Sequence, residues 1–367
     1  MSLPTQNSTG PDTAAPADPV AIPWADPARQ AAFAQWLHTT AQQHPLVPHS
    51  LRIASADASF RRYLRVDAVV PDTTYIVMDA PPAQENCTPF VQVAQLMAEA
   101  GLHAPKVLAW DAEHGFMLLT DLGTQTMMDV IDPEQPQANL ALYMDAVDAL
   151  VQWQLASRPG VLPPYDEALL RRELALFPDW YLEKHRDVRV EGKLRETLEA
   201  AFGKIVARNL AAPCVYVHRD FMPRNLMISK DGLGILDFQD AVYGPITYDI
   251  ASLMRDAFLT WPEDFVLDVT VRYWQKARKA GLPVGDDFGE FYRGVEWMGL
   301  QRHLKVAGIF ARLTLRDGKP KYLADAPRFV DYIRATANRY RELGPFLKAL
   351  DEVEGLQAAS GYAFGRM

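Results

Sequence analysis

The spacing of apolar positions along the chain changes twice, and each change marks a different kind of element. Residues 27–44 (PARQAAFAQWLHTTAQQH) set Phe33, Trp36 and Leu37 on one stripe, with Asp26 as N-cap and Pro27 in the first turn, which predicts a helix. A period of two follows. LRIASADASFRRYLRV reads as two strands around a turn near Ser55 to Ser59, and TYIVMD (Thr74–Asp79) as a third, the start of a small antiparallel sheet. In the second strand Phe60, Arg62, Leu64 and Val66 share one face and Arg61, Tyr63 and Arg65 the other, so Arg62 is a cation on the apolar face. Residues 89–100 (PFVQVAQLMAEA) return to helical spacing and end at Gly101 as C-cap. PKVLAWDAEHGFMLLTDLG then supplies two more strands, ending at Thr120, Asp121, Leu122 and Gly123, where a hinge is placed.

Beyond the hinge the pattern is mostly helical. Residues 139–157 carry Leu142, Ala146, Ala149, Leu150 and Trp153 on one stripe, and residues 169–185 and 193–209 form two further helices. A short apolar run at Cys214–Val217 leads into a polar loop and a hairpin turned at Asp231 and Gly232, and a helix begins at Ile250 with Asp249 as a candidate N-cap. Residues 290–313 combine a wide apolar stripe with Gln301, Arg302, His303, Lys305 and Arg312, which form either a solvated basic face or a cation cluster for a substrate. The expected divisions are a loose leader at 1–26, rich in Pro, Ala, Thr and Asp, an N-terminal lobe at 27–121 and a C-terminal lobe at 122–367.

Composition narrows the class. The 367 residues are 49% apolar and 23% charged, as in a globular enzyme with a sizeable core. A net charge of -9 gives no global basic field for nucleic acid. Two cysteines without metal-ligand spacing fit a reducing compartment. No apolar run reaches the length of a membrane span and no Lys or Arg occurs in the first 25 residues, so the expectation is a cytoplasmic protein without a membrane partner.

The chemistry concentrates in CVYVHRDFMPRNLMISKDGLGILDFQDAVYGPITYDIASLMRD, from Cys214 to Asp256. An Asp on a tight loop, an Asn five residues on and a second Asp beyond a hairpin is the order of parts of a kinase-type phosphoryl-transfer site. Here they are Asp220 as base and Asn225 and Asp237 as metal ligands, with His218, Asp240 and Asp249 as supporting polar groups. A base and two metal-holding groups must converge on one terminal phosphate, hence a loop beside a strand. The turn from Ala56 to Ser59 stands where a phosphate-covering loop is expected; it has no glycine, so Ser59 and its small neighbours would have to serve.

HRDFMPRNLM, ILDFQDAVYGPITYDIASL, SADASFRRY, YIVMDAPP and LQRHLKVAGIFARL together resemble the aminoglycoside-phosphotransferase-like kinases, and within them the bacterial anomeric kinases for N-acetylmuramate and N-acetylglucosamine. The resemblance runs from about Ile53 to Leu313. It implies an α+β, two-lobed protein-kinase-like fold, a small antiparallel β N-lobe and a larger, mostly helical C-lobe, with ATP in the cleft and Mg2+ at Asn225 and Asp237. The reaction it implies is transfer of the terminal phosphate to the C1 hydroxyl of the amino sugar, in peptidoglycan recycling, the product passing to a nucleotidyltransferase. The third strand lacks the usual phosphate-gripping Lys, and Arg62, or else Arg61, is expected to supply the cation from the neighbouring strand; Asp121 joins Ser59 and Arg62 as a nucleotide-side residue. Asp79, Arg302, His303 and Lys305 are the candidates for holding sugar. Other readings are a kinase of the same superfamily for an aminoglycoside, choline or homoserine, or a catalytically silent kinase-like binding protein.

Overall fold

The computed structural model of the chain describes residues 22–55 and 60–356, so the turn at 56–59, with Ser59, and residues 1–21 of the expected leader lie outside the described residues. The chain divides into two compact units, one formed by residues 1–87 and 107–121, the other by 88–106 and 122–367.

The first unit contains α1 (Pro27–Gln43), β1 (Leu46–Ser55), β2 (Arg62–Ala68), β3 (Thr74–Asp79), β4 (Val107–Asp111) and β5 (Phe116–Thr120). The strands form one antiparallel sheet in the order β1-β2-β3-β5-β4. Alternation along β2 buries Leu64, Val66 and Ala68, and these side chains meet the apolar stripe of α1: Phe33 and Leu37 pack with Leu46, Leu64, Val66, Val77, Phe116 and Leu118. Asp26 caps α1 as expected, accepting from the Ala28 N–H at 2.9 Å. The β4–β5 turn needs glycine at 115: φ is +73°, and a Cβ there would overlap the Ala80 carbonyl. The β2–β3 register sets Arg62 directly across from Asp79.

The second unit is mostly helical. It holds α2 (Thr88–Glu99), α3 (Met127–Val130), α4 (Leu140–Leu155), α5 (Glu167–Leu176), α6 (Gly192–Leu210), α7 (Thr247–Met254), α8 (Glu263–Lys279), α9 (Phe288–Leu315), α10 (Ala326–Arg339) and α11 (Gly344–Glu354). Two short antiparallel ladders lie among them, β6 (Cys214–Val217) with β9 (Val242–Pro245), and β7 (Leu226–Ser229) with β8 (Gly232–Ile235). Although α2 falls between strands of the first unit in the chain, its Phe90 packs on Phe238 with ring centroids 4.8 Å apart, which ties it to the second. Among the described residues no helix is long and apolar enough to cross a membrane.

One helix differs from the sequence reading. Residues 169–185 do not continue as a single α-helix: α5 stops at Leu176, and Phe177–His185 is wound as a π-helix. Pro178 has no N–H for the carbonyl four residues back and its ring crowds that carbonyl, so the hydrogen bonding slips to longer spacing, as in Arg186 N–H to Tyr181 O at 3.0 Å. The wider coil lies against α9, and just before it Gly308 lets α9 approach the end of α5: a Cβ there would overlap the backbone of Leu176. Gly308→Ala is therefore expected to destabilise the fold by about 1–3 kcal/mol through overpacking, read from the urea midpoint; an unchanged midpoint would show that the two helices can separate freely.

Candidate active site

The loop after β6 is held through its backbone N–H groups by a buried carboxylate. Asp249, fully buried on α7, accepts from the His218 N–H at 2.7 Å and the Arg219 N–H at 3.0 Å. This corrects the N-cap reading of Asp249, because α7 begins at Thr247 and the carboxylate caps the loop of a different segment. Arg219 is held at φ +78° and Asp237 at φ +62°, two non-glycine residues in the left-handed region within the predicted catalytic stretch. Strain of this kind persists where surrounding contacts over-determine the backbone, and here Asp249 supplies two of them.

His218 is a structural pin. It is 1% exposed, its Nε2 lies 3.0 Å from the Leu236 carbonyl, and its Nδ1 accepts the Asp220 N–H at 3.2 Å. A carbonyl needs a donor and an amide needs an acceptor, so the ring is neutral with its proton on Nε2. Burial drives its pKa down to about 4. As pH falls from about 6.5 the unfolded chain takes up this proton first, so the stability His218 contributes is present above that pH and lost on the way down to about 4. Burial pushes Asp249 up to about 7, with the opposite sign, but that carboxyl is common to parent and variant. His218→Gln should therefore lose part of its stability deficit, about 3 kcal/mol, between pH 7 and pH 4 in urea melts. A deficit independent of pH would contradict the neutral pin.

Asp220 and Asn225 are brought together: the Asn225 side-chain amide donates to the Asp220 carbonyl at 2.9 Å. That contact uses the NH2 end and leaves Oδ1 as the acceptor. The β7–β8 ladder pairs Leu226 with Ile235, and one step further out the Leu236 N–H donates to the Asn225 carbonyl at 2.9 Å, so Asn225 and Asp237 follow from adjoining strand ends. The Asp237 carboxylate is exposed and accepts from the Gln239 amide at 2.7 Å. An amide oxygen and a carboxylate suit a hard divalent cation. Among the described residues no cluster of three or more His, Cys, Asp or Glu side chains has metal-holding geometry, so an ion here would complete its shell with phosphate oxygens and water, as Mg2+ does. Asp240 is exposed, and its carbonyl accepts from Arg219 Nη1 at 3.4 Å.

Behind the loop lies a buried ionic cluster. Glu173 on α5, only 5% exposed at its side chain, pairs with Arg219 at 2.6 Å and Lys305 at 3.0 Å, and accepts the Tyr165 hydroxyl at 2.5 Å. Burial pushes Glu173 up, but Lys305 and Arg219 more than offset it and hold the carboxyl down at about 2. Arg302 donates to the Arg219 carbonyl at 2.7 Å and lies 4.8 Å from the Tyr248 ring centroid; Lys305 lies 3.3 Å from the Tyr248 hydroxyl. The segment read from sequence as a possible solvated basic face is thus buried: Gln301, Arg302 and His303 are 0%, 3% and 2% exposed. Arg302 and Lys305 support the loop from within, whereas His303 turns away and stacks on Tyr332 with centroids 4.5 Å apart. Its burial pushes the imidazole down to about 3.

The other candidates lie in the first unit as ion pairs. Asp79, 1% exposed, accepts from Arg29 at 2.5 and 3.0 Å and from Arg62, whose Nη1 donates to the Pro23 carbonyl at 2.8 Å and whose guanidinium covers the Trp24 ring at 4.1 Å. Arg62 is thus engaged by Asp79, a cation partner the local sequence around Asp79 does not supply. Arg61 pairs with Glu85 at 3.1 Å. Asp121 accepts from Arg65 at 2.5 and 3.1 Å and from the Thr74 hydroxyl at 2.6 Å. Sequence reasoning missed Glu173, Tyr165, Tyr248 and Arg29. The middle residue of His-Arg-Asp was the one available signal, since a loop arginine held in the interior needs a counter-charge.

The profile of the phosphotransferase enzyme family (APH) matches residues 50–287. The chain is 51% identical over 308 residues to the N-acetylmuramate/N-acetylglucosamine kinase of Pseudomonas aeruginosa, covering 83% of this chain and 90% of that one. It is 47% identical over 339 residues to the protein of the same name in Neisseria meningitidis serogroup B, covering 92% and 99%. In structure it is similar to the ADP-bound aminoglycoside phosphotransferase APH(2'')-Ib, with TM-score 0.54, 14% identity and 82% and 97% coverage. It is also similar to an amicoumacin kinase in complex with AMP-PNP and Ca2+, with TM-score 0.58, 14% identity and 82% and 92% coverage. At these identities the structural likeness speaks for the fold, an antiparallel sheet followed by a mostly helical unit.

Proposed function

The chain belongs to the phosphotransferase enzyme family, and we propose that it transfers the terminal phosphate of ATP to the C1 hydroxyl of N-acetylmuramate or N-acetylglucosamine. The observation that carries the catalytic part is a single carboxylate, Asp220, on a loop whose backbone is tied to Asp249, His218 and Asn225. The choice of amino sugar follows from the names of relatives near 50% identity that span most of the chain.

In this reading Asp220 takes the proton of the C1 hydroxyl as that oxygen bonds to the terminal phosphorus, and the bond from phosphorus to the bridging oxygen breaks to release ADP. An anomeric hydroxyl is more acidic than an ordinary alcohol, so the base has less to do and in-line placement carries more of the acceleration. Asn225 Oδ1 and the Asp237 carboxylate would hold Mg2+, which when bound neutralises charge on the phosphates. The Asn225 amide bond to the Asp220 carbonyl couples base and metal side in one loop, so neither moves without the other. The sugar 1-phosphate product is the kind of acceptor to which a nucleotidyltransferase adds a nucleotidyl group, which fits a cell-wall recycling reaction.

Sugar-dependent ADP release over a panel of N-acetylmuramate, N-acetylglucosamine, glucose, choline and an aminoglycoside tests this. Turnover with the two N-acetyl sugars is expected. Turnover confined to choline or the aminoglycoside would overturn the substrate reading and leave the family assignment standing.

A further inference from the structure

Arg224 stands in the loop between Asp220 and Asn225, on the 3-10 turn Pro223–Asn225, and it is exposed. The arginines around it are all committed: Arg219 to Glu173, Arg255 to Glu263, Arg302 to the Arg219 carbonyl. Arg224 takes part in no ion pair among the described residues, and its guanidinium rests 4.3 Å from the ring centroid of Phe258. A 3-10 turn has three residues per turn, so adjacent side chains point about 120° apart. Asn225 turns its amide back to the Asp220 carbonyl, while Arg224 turns towards Phe258, which follows α7 and packs on Phe310 of α9 at 5.6 Å. The loop therefore has an oxygen-donor side next to Asp237 and a cationic side facing α7 and α9.

A buried carboxylate lies beside Arg224. Asp256 is fully buried; its Oδ1 accepts the Phe258 and Leu259 N–H groups at 2.5 and 3.0 Å, and its Oδ2 has no hydrogen-bond partner. Arg302 and Arg224 both bear on this one carboxylate. Arg302 is locked in the interior, which leaves Arg224 as the cation at the surface that an incoming anion can draw off the Phe258 ring.

We propose that Arg224 is the specificity-determining residue for an acidic acceptor, its guanidinium receiving the carboxylate of the lactyl ether that distinguishes N-acetylmuramate from N-acetylglucosamine. This assignment rests on the amino-sugar reading above. The lactyl group is on the same sugar ring as the hydroxyl that Asp220 must reach, so the cation that reads it has to stand near the base, and Arg224 is on the same loop, four positions on. A guanidinium fork matches a carboxylate through two parallel bonds, whereas the phosphates are served from the Asn225 and Asp237 side. N-acetylglucosamine has no such group and leaves the arginine on its ring.

The test compares kcat/KM for both sugars in the full chain and in Arg224→Ala and Arg224→Lys, with melting temperatures for all three. Arg224→Ala is expected to lower the preference for N-acetylmuramate over N-acetylglucosamine by about 10- to 100-fold, mostly through KM, the range of a lost charge-assisted pair. Arg224→Lys, which keeps charge but loses the fork, should fall between. The methyl ester of N-acetylmuramate should behave with the wild type as the acid does with Arg224→Ala. A sugar preference unchanged in Arg224→Ala, or equal losses on both sugars, would overturn the assignment while leaving the kinase reading intact. A wild-type protein inactive on both sugars would remove the amino-sugar reading and this assignment with it.

Discussion

Asp220→Ala is expected to lower kcat by about 10² to 10⁴, which is about 3–5 kcal/mol in barrier, while ADP and ATP still bind. The contacts that shape the loop at this position use the backbone: its N–H donates to His218 and its carbonyl accepts from Asn225. Removing the side chain leaves both in place, so the loss reports proton transfer and positioning of the acceptor hydroxyl rather than collapse of the loop. Nucleotide titration together with turnover at saturating sugar separates the two. Turnover within a few fold of the parent would mean that Asp220 is not the base.

Glu173→Ala should cost about 3–5 kcal/mol of stability, measured by urea unfolding at pH 7. Glu173 is the carboxylate shared by Arg219 and Lys305, and the Tyr165 hydroxyl also donates to it. Truncation leaves Arg219 and Lys305, 18% and 12% exposed at their side chains, without that neutralising charge. A buried cation with its partner removed costs more than the pair was worth, because it has already given up its water. The double substitution Glu173→Ala with Lys305→Met should recover part of the loss, since it removes one of the stranded charges. A penalty below about 1 kcal/mol for the single variant would show that solvent reaches the cluster and that Glu173 is not what holds Arg219 in place.

The elements with a clear period were legible in the sequence: the α1 stripe of Phe33 and Leu37, the alternation along β2, and the hairpin that delivers Asp237. The candidate set Asp220, Asn225 and Asp237 rests on short, regular offsets in the sequence, and the structure brings Asp220 and Asn225 into contact. What stayed hidden depends on residues far apart in the chain. Arg29 meets Asp79 across 50 positions and Glu173 meets Arg219 across 46, and no local pattern announces either pair. Arg302 and Lys305 could be read as a solvated face or as a substrate cluster, because helical spacing says which residues share a face and not what covers it; Glu173 and Tyr248 cover this one. The π-helix after Leu176 could have been anticipated from Pro178, since a proline inside a helical pattern must change the hydrogen bonding before it.

Phosphorus NMR of the product made from ATP and N-acetylmuramate tests the account most directly. One phosphate on the sugar is expected, its resonance split by the C1 proton, with loss of the reducing end and with the same product formed about 10² to 10⁴ times more slowly by Asp220→Ala. A phosphate on any other hydroxyl, or the same product formed at undiminished rate by Asp220→Ala, would contradict it.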